Sequence, residues 1–434
     1  MKTVKCASEV KRLLSRKGIE ASFFVEYPDV YVVRLNDGNL PEWFRKYFSE
    51  IKPRSVREVL GFEEGDLRYR FGDMSQGKSP YDVLRRQPYK CSDSRRLPIE
   101  VYYERLEYWE ALESLFYKHV DGVLREFVEL VPRSSRGIRD LDRGGVKLAL
   151  LDDETLERKF REIAEIKSRS YYDGLSTLQL VNGDTLLEAA RGRGGVYYVA
   201  NSLSALLFKS GCIPYYVELP TTHAEYLKLR RALYVGVGLK KISEGYVRGL
   251  AVLMTGLGNV VGYVDKDFHI RGRSIEFKEE ELEEFVDGIE EKLESYRNNA
   301  RENPELVVAV RSRKFHDVEW RTLGRNFARN WLRLTSKGLL LMSSYKYVRI
   351  GPSRAVEVGR AMVDGGLHGV WLVQLSKFES AVKVSYFYTG NDATLPLAAY
   401  IYLRSLDFTS LTQVRTSLPP VKYARNYLRW KYSS

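Results

Sequence analysis

Leu233-Tyr234-Val235-Gly236-Val237-Gly238-Leu239-Lys240-Lys241 is a short apolar run, rich in β-branched and aromatic residues, that closes on two lysines. That composition reads as a buried strand. Two more strand-like runs follow at residues 248–255 and 259–264, with Gly256-Leu257-Gly258 as the turn between them. Residues 277–299 space Leu282, Phe285, Val286, Ile289, Leu293 and Tyr296 at the helical period and fill the other face with glutamates, which predicts a long amphipathic helix. Residues 306–310 are a further buried strand.

Three antiparallel strands, a helix and a strand in this order open a ribonuclease-H-like fold. The first strand of such a fold presents a metal-binding aspartate, and here Gly238 stands in that place. Downstream, Arg311-Ser312-Arg313-Lys314 forms a basic turn. Residues 320–334 carry Arg321, Arg325, Arg329 and Arg333 at four-residue steps, a comb for backbone phosphates or a plain solvated helix face. Apolar runs at 339–342, 370–375 and 381–389, then helices at 395–406 and 421–430, complete this part.

Upstream the periodicity alternates: strand 146–151, helix 154–167, strand 175–181, helix 197–210, strand 213–219. Such alternation predicts a parallel sheet with helices on both faces, a Rossmann-like unit that binds ligands beyond its strands' carboxyl ends. Gly192, Gly194 and Gly195, with Arg191 and Arg193 between them, suit an anion at a helix start or a flexible basic loop; they lack the spacing of a dinucleotide fingerprint. Residues 108–131 read as one long helix, 132–137 as a linker, 66–96 as a basic, loop-rich segment and 97–103 as a strand. The first 60 or so residues read as a small α+β unit, with a helix at 8–16 and a hairpin of 21–26 and 30–35 turning at Pro28-Asp29.

The chain has 434 residues, too many for one core. Its 44% hydrophobic and 29% charged residues are those of a soluble globular protein. No apolar run approaches the ~20 residues of a membrane span, and the first residues lack a secretory apolar region, so a cytoplasmic protein without membrane contact is expected. A net charge of +12 favours a polyanionic partner, most often nucleic acid, over the alternative of surface ion-pair networks. Cys6, Cys91 and Cys212 lie far apart without paired spacing, which argues against both a zinc module and a disulfide framework.

A Rossmann-like unit feeding a ribonuclease-H-like unit resembles the MID–PIWI half of Argonaute proteins. Leu406-Asp407-Phe408-Thr409 followed by Leu418-Pro419-Pro420-Val421-Lys422-Tyr423-Ala424 looks like the last PIWI strand and terminal helix. Val235-Gly236-Val237-Gly238 looks like the first PIWI strand, usually Ile-Gly-x-Asp. Leu67-Arg68-Tyr69-Arg70-Phe71-Gly72 and Ser79-Pro80-Tyr81-Asp82-Val83-Leu84 are similar to the lead into MID. The resemblance covers roughly residues 65–434, leaves no room for a PAZ domain and implies a short prokaryotic Argonaute. It divides the chain into an N-terminal α+β extension (1–65), a basic lead-in with a long helix (66–140), a Rossmann-type MID-like domain (141–230) and a PIWI domain (231–434).

An active PIWI domain cleaves with two divalent cations held by carboxylates. With Gly238 and Ser312 at the usual carboxylate positions, the resemblance implies no enzyme, no metal and no cofactor. The MID pocket departs too: Tyr216 stands where a glutamine is usual, and Asn201 and Ser202 follow Tyr197 and Tyr198 where a lysine is expected. The implied function is guide–target duplex binding, guide RNA or DNA, with recognition signalled to a separately encoded effector in defence against invading DNA. The expected nucleic-acid contacts are Lys240, Lys241, Arg311, Arg313, Arg415, Lys422 and Arg425, with Lys209, Tyr197 and Tyr216 in the MID-like part. Two alternatives stand beside this reading. One is an active nuclease with displaced carboxylates (Asp265, Asp267, Asp364), the other a protein-binding scaffold that has lost its guide.

Overall fold

The computed structural model describes residues 52–91, 96–134, 141, 145–172, 175–192, 194–269, 278–300, 303–311, 338–346, 349–363, 365–411 and 417–432, residues 12, 15 and 16, and the backbone of 21–26 and 30–35. The expected hairpin is present as β1 (Ala21–Glu26) and β2 (Val30–Leu35), paired antiparallel. Next come β3 (Arg54–Ser55), helix α1 (Val56–Leu60), β4 (Arg68–Arg70), β5 (Gln76–Gly77) and a 3-10 helix at Pro80–Arg85. α1 opens on a capping box between Ser55 and Glu58 and stops at Gly61, whose φ of 81° suits a residue without a Cβ.

The parallel sheet contains β6 (Leu97–Tyr103), β7 (Val128–Ser134), β8 (Lys147–Leu151) and β11 (Leu178–Asn182), in the order β11-β8-β6-β7. Its first crossover is α2 (Leu106–His119) with α3 (Gly122–Phe127); the next elements are α4 (Asp153–Arg158), α5 (Phe160–Arg169) and a hairpin of β9 (Tyr171–Tyr172) and β10 (Leu175–Ser176). α6 (Gly183–Arg191), α7 (Gly195–Lys209), β12 (Tyr216–Glu218) and α8 (Ala224–Leu227) follow.

Residues 108–131 are therefore not one helix. α2 ends where Val120 turns extended (ψ 124°), and the stretch from Val128, rich in β-branched residues, is claimed by pairing with β6. The parallel sheet thus draws in two strands from before residue 141. β12 stays out of it and pairs antiparallel with β4.

Residues 232–388 supply eight strands, and β3 the ninth, of a sheet of nine described strands in the order β15-β14-β13-β16-β17-β20-β19-β18-β3. Its members are β13 (Ala232–Ser243), β14 (Tyr246–Thr255), β15 (Val260–His269), β16 (Leu306–Arg311), β17 (Leu339–Lys346), β18 (Arg354–Val363), β19 (Gly366–Gln374) and β20 (Val382–Tyr388), closed at one edge by β3. Helix α9 (Glu279–Ala300) connects β15 to β16, and α10 (Leu395–Ser405) and α11 (Pro419–Lys431) end the chain. This is the ribonuclease-H-like order expected from sequence. The helix expected at 320–334 lies outside the described residues.

Side chains of β13 alternate between two cores. Leu233 and Val235 meet Leu282, Phe285, Val286 and Ile289 of α9, whereas Tyr234 faces the larger core shared with α11. On the α11 side β13 has glycines. A Cβ at Gly236 would lie 2.2 Å from the carbonyl carbon of Pro420, so α11 rests directly on the strand's backbone. Every residue of α10 is buried. Its Arg404 reaches Glu379 (3.0 Å) and Glu64 (3.3 Å), tying the lead-in segment to the large sheet.

The expectation against disulfides fails. Cys91 and Cys212 are bonded, brought together by the antiparallel bridge between their neighbours Lys90 and Ile213. A separation of 121 residues hid the pairing in the sequence.

Candidate nucleic-acid interface

Gly238 sits opposite Leu250, which in turn sits opposite Asp265; the next row is Lys240, Arg248 and Asp267. A Cβ at Gly238 would lie 3.1 Å from that of Ala424, so any larger side chain there would press on α11. Arg248 holds both aspartates, at 2.9 Å for Asp265, donates to the hydroxyl of Tyr432 and lies 4.8 Å over its ring. Lys240 donates to the main-chain oxygens of Tyr432 and Arg429, capping the carboxyl end of α11. Lys240 is thus a capping residue rather than a free phosphate contact.

Asp265 and Asp267 are both ion-paired with the single guanidinium of Arg248, and Asp364 lies outside the described residues. Among the described residues no group of three or more His, Cys, Asp or Glu is placed to hold a metal. Both aspartates are engaged by Arg248, so the displaced-carboxylate arrangement is not assembled from Asp265 and Asp267.

Arg311 corrects the sequence reading most sharply. It pairs in register with Val237, whose side chain packs under α9, so it points away from the Gly238 face, and it is 5% exposed. Lys241 and Arg425 are exposed as expected. Lys422 is ion-paired with buried Asp407 at 2.8 Å. Ser312, Arg313 and Arg415 lie outside the described residues.

A cationic junction lies between α5, α7 and α11. Lys209, the last residue of α7, donates to the Leu178 carbonyl and to Gln179 Oε1, both at 2.8 Å. Burial, then repulsion by Lys167 and Lys422, pushes its ammonium well below the ordinary lysine range. Lys167 of α5 is buried, with no carboxylate partner among the described residues. Its ammonium sits 4.9 Å over the ring of Trp430, which also packs against Phe160. Burial and the charge of Arg429 lower Lys167 from 10.5 to about 8. Sequence reasoning missed Lys167, although a lysine one turn after Ile163 on an apolar stripe is the kind of signal that could have found it.

On the MID-like side Tyr197 is 54% exposed and meets Tyr81 edge-on at 5.0 Å, an aromatic surface open to a base. Tyr216 is not. Its ring is 4% exposed, stacked on Tyr89 (5.3 Å) and covered by the Arg230 guanidinium (4.7 Å). Asn201 ties the α7 backbone to the chain's end, accepting from Leu411 N at 2.6 Å. The start of α7 at Gly194 and Gly195 has no side-chain cap, and a Cβ on Gly195 would meet Leu115 at 2.5 Å.

No family model matches this sequence, and no curated protein does. Solved structures do. The chain is similar to Drosophila Piwi (13% identity, TM-score 0.59, 93% of this chain and 56% of that one). It is similar to Marinitoga piezophila Argonaute in complex with 5′ OH guide RNA (15%, TM-score 0.53, 85% and 58%). It is also similar to Clostridium butyricum Argonaute bound to a guide DNA and a 19-mer target DNA (12%, TM-score 0.57, 92% and 55%). The chain has an Argonaute-like fold and spans a little over half the length of these proteins. The likeness corrects the expectation that the chain is no enzyme. The fold it shares with Argonaute and Piwi proteins contains a ribonuclease-H-like domain, the architecture of a nuclease, and a glycine at 238 does not by itself establish inactivity.

Proposed function

We propose that this chain binds a guide strand and its complementary target along the face crossed by α11, base pairing supplying the sequence choice. The observation that carries the reading is the junction of Lys167, Lys209, Lys422 and Arg429 between the MID-like and PIWI-like parts. Lys422 already has Asp407 and Arg429 is exposed, but the ammonium groups of Lys167 and Lys209 are buried beside them with no carboxylate partner among the described residues. Buried like charges are costly unless something anionic joins them, and a nucleic-acid phosphate is the anion that an Argonaute-like fold meets. Lys241 and Arg425 extend the basic surface as backbone contacts, and Tyr197 offers a ring to a terminal base. The chain acts in the cytoplasm as a short Argonaute, and target recognition passes to a separately encoded effector in defence against invading DNA. The division into extension, lead-in, MID-like and PIWI-like parts is proposed with it.

Filter binding of end-labelled guide RNA and guide DNA, alone and with complementary target, tests the reading. Affinity should fall steeply with salt, and Lys167→Gln with Lys209→Gln should weaken it by more than tenfold. Absence of any guide binding at low salt would leave the scaffold alternative standing in its place. The same samples with Mg²⁺ or Mn²⁺ report whether target is cut.

A further inference from the structure

Residues 68–91 lie against residues 212–218 and are held there at two places. At the first, β4 pairs with β12, and Arg70 Nε meets Glu218 Oε1 at 2.7 Å. At the second, Lys90 and Ile213 exchange backbone hydrogen bonds of 2.7 and 3.3 Å, Tyr89 stacks on Tyr216 at 5.3 Å, and Cys91 is bonded to Cys212. Between these two holds lies the 3-10 helix Pro80–Arg85. It carries Tyr81, the ring set edge-on against exposed Tyr197. The covalent hold is the stronger of the two, because it closes a loop across 121 residues and cannot fray.

We propose that the Cys91–Cys212 disulfide is a reversible redox staple that sets how firmly the Tyr81–Tyr197 face is held. The consequence for strand binding rests on the guide reading above. Cys91 is half-buried and Cys212 buried, so the Cys91 sulfur is the one a thiolate can reach. A dithiol reductant attacks it, the S–S bond breaks and Cys212 leaves as a thiolate. The reductant's second thiol then resolves the mixed disulfide. Two electrons and two protons pass to the protein and the dithiol becomes a disulfide. Disulfides that switch in this way are those whose compartment holds such reductants.

Thiols are counted in denaturant on protein alkylated at lysis. Without reductant the count should be two lower than after dithiothreitol. Hydrogen exchange of the nucleic-acid-free protein should then speed up roughly tenfold across residues 80–91 on reduction, because the segment opens locally more often. Cys91→Ser with Cys212→Ser should exchange at the faster rate in both conditions. Wild-type guide affinity should drop about threefold with reductant, and the double variant's should not respond. No thiol released by dithiothreitol from the alkylated protein, or exchange across 80–91 that ignores reductant, would overturn the proposal. Failure of the oxidised protein to bind any guide would sink the guide reading, while the staple itself would still stand or fall on the exchange rates.

Discussion

Replacing Lys167 with methionine should make the protein more stable and a worse binder at once. Lys167 is buried, and its fall from 10.5 to about 8 corresponds to about 3 kcal/mol of cost in keeping the ammonium charged at pH 7. Methionine keeps the apolar stem and removes the charge. It also forfeits the cation–π contact with Trp430, worth about 1 kcal/mol, which leaves a gain of about 2 kcal/mol. Below pH 8 the lysine is protonated in folded and unfolded chains alike and the penalty is complete. From about pH 8 to 10.5 the folded protein sheds the proton first, so wild-type stability rises and the advantage of methionine fades. Calorimetry at pH 7 and pH 10 should show the variant melting about 2 °C above wild type at the lower pH and level with it at the higher. Guide affinity should be about tenfold weaker at pH 7, the loss of one buried charge–phosphate contact. A variant that is less stable than wild type, or that binds guide equally well, would refute the reasoning.

Other substitutions probe other parts. Gly236→Ala should destabilise by about 3 kcal/mol, seen as a lower urea midpoint, since its Cβ would fall 2.2 Å from the Pro420 backbone and α11 would have to lift. Arg404→Ala leaves buried Glu379 without its cation and should cost about 3–5 kcal/mol in denaturant titration, with Glu379→Gln partly rescuing it. Lys241→Ala with Arg425→Ala should leave the melting temperature unchanged. It should reduce the slope of log affinity against log salt by about 1.8 on a duplex, about 0.9 for each of the two lost phosphate contacts.

Much of this protein was legible from local pattern. The succession β13-β14-β15-α9-β16 and the hairpin β1–β2 follow from periodicities of two and 3.6 residues, which neighbouring side chains declare without help from the rest of the chain. The glycine at 238 and the helix now seen as α10 were equally visible, though not that every residue of α10 is buried. Where the reading failed, distant segments compete. Residues 128–131 have apolar spacing compatible with helix, yet the open edge of β6 recruits them as strand. Arg311 looked like a groove cation because it follows an apolar run, but register with Val237 turns it to the other face.

The sequence by itself therefore determined the succession β13-β14-β15-α9-β16 and the hairpin β1–β2, though not the ends of every element, because backbone preference and burial pattern are properties of a short window. Tertiary structure alone decided that Lys167, Lys209 and Lys422 converge, that Arg248 consumes Asp265 and Asp267, and that Cys91 finds Cys212. Charge repulsion, ion pairing and covalent bonding act across space, and which groups come within their reach is set by how the two sheets and α11 are packed.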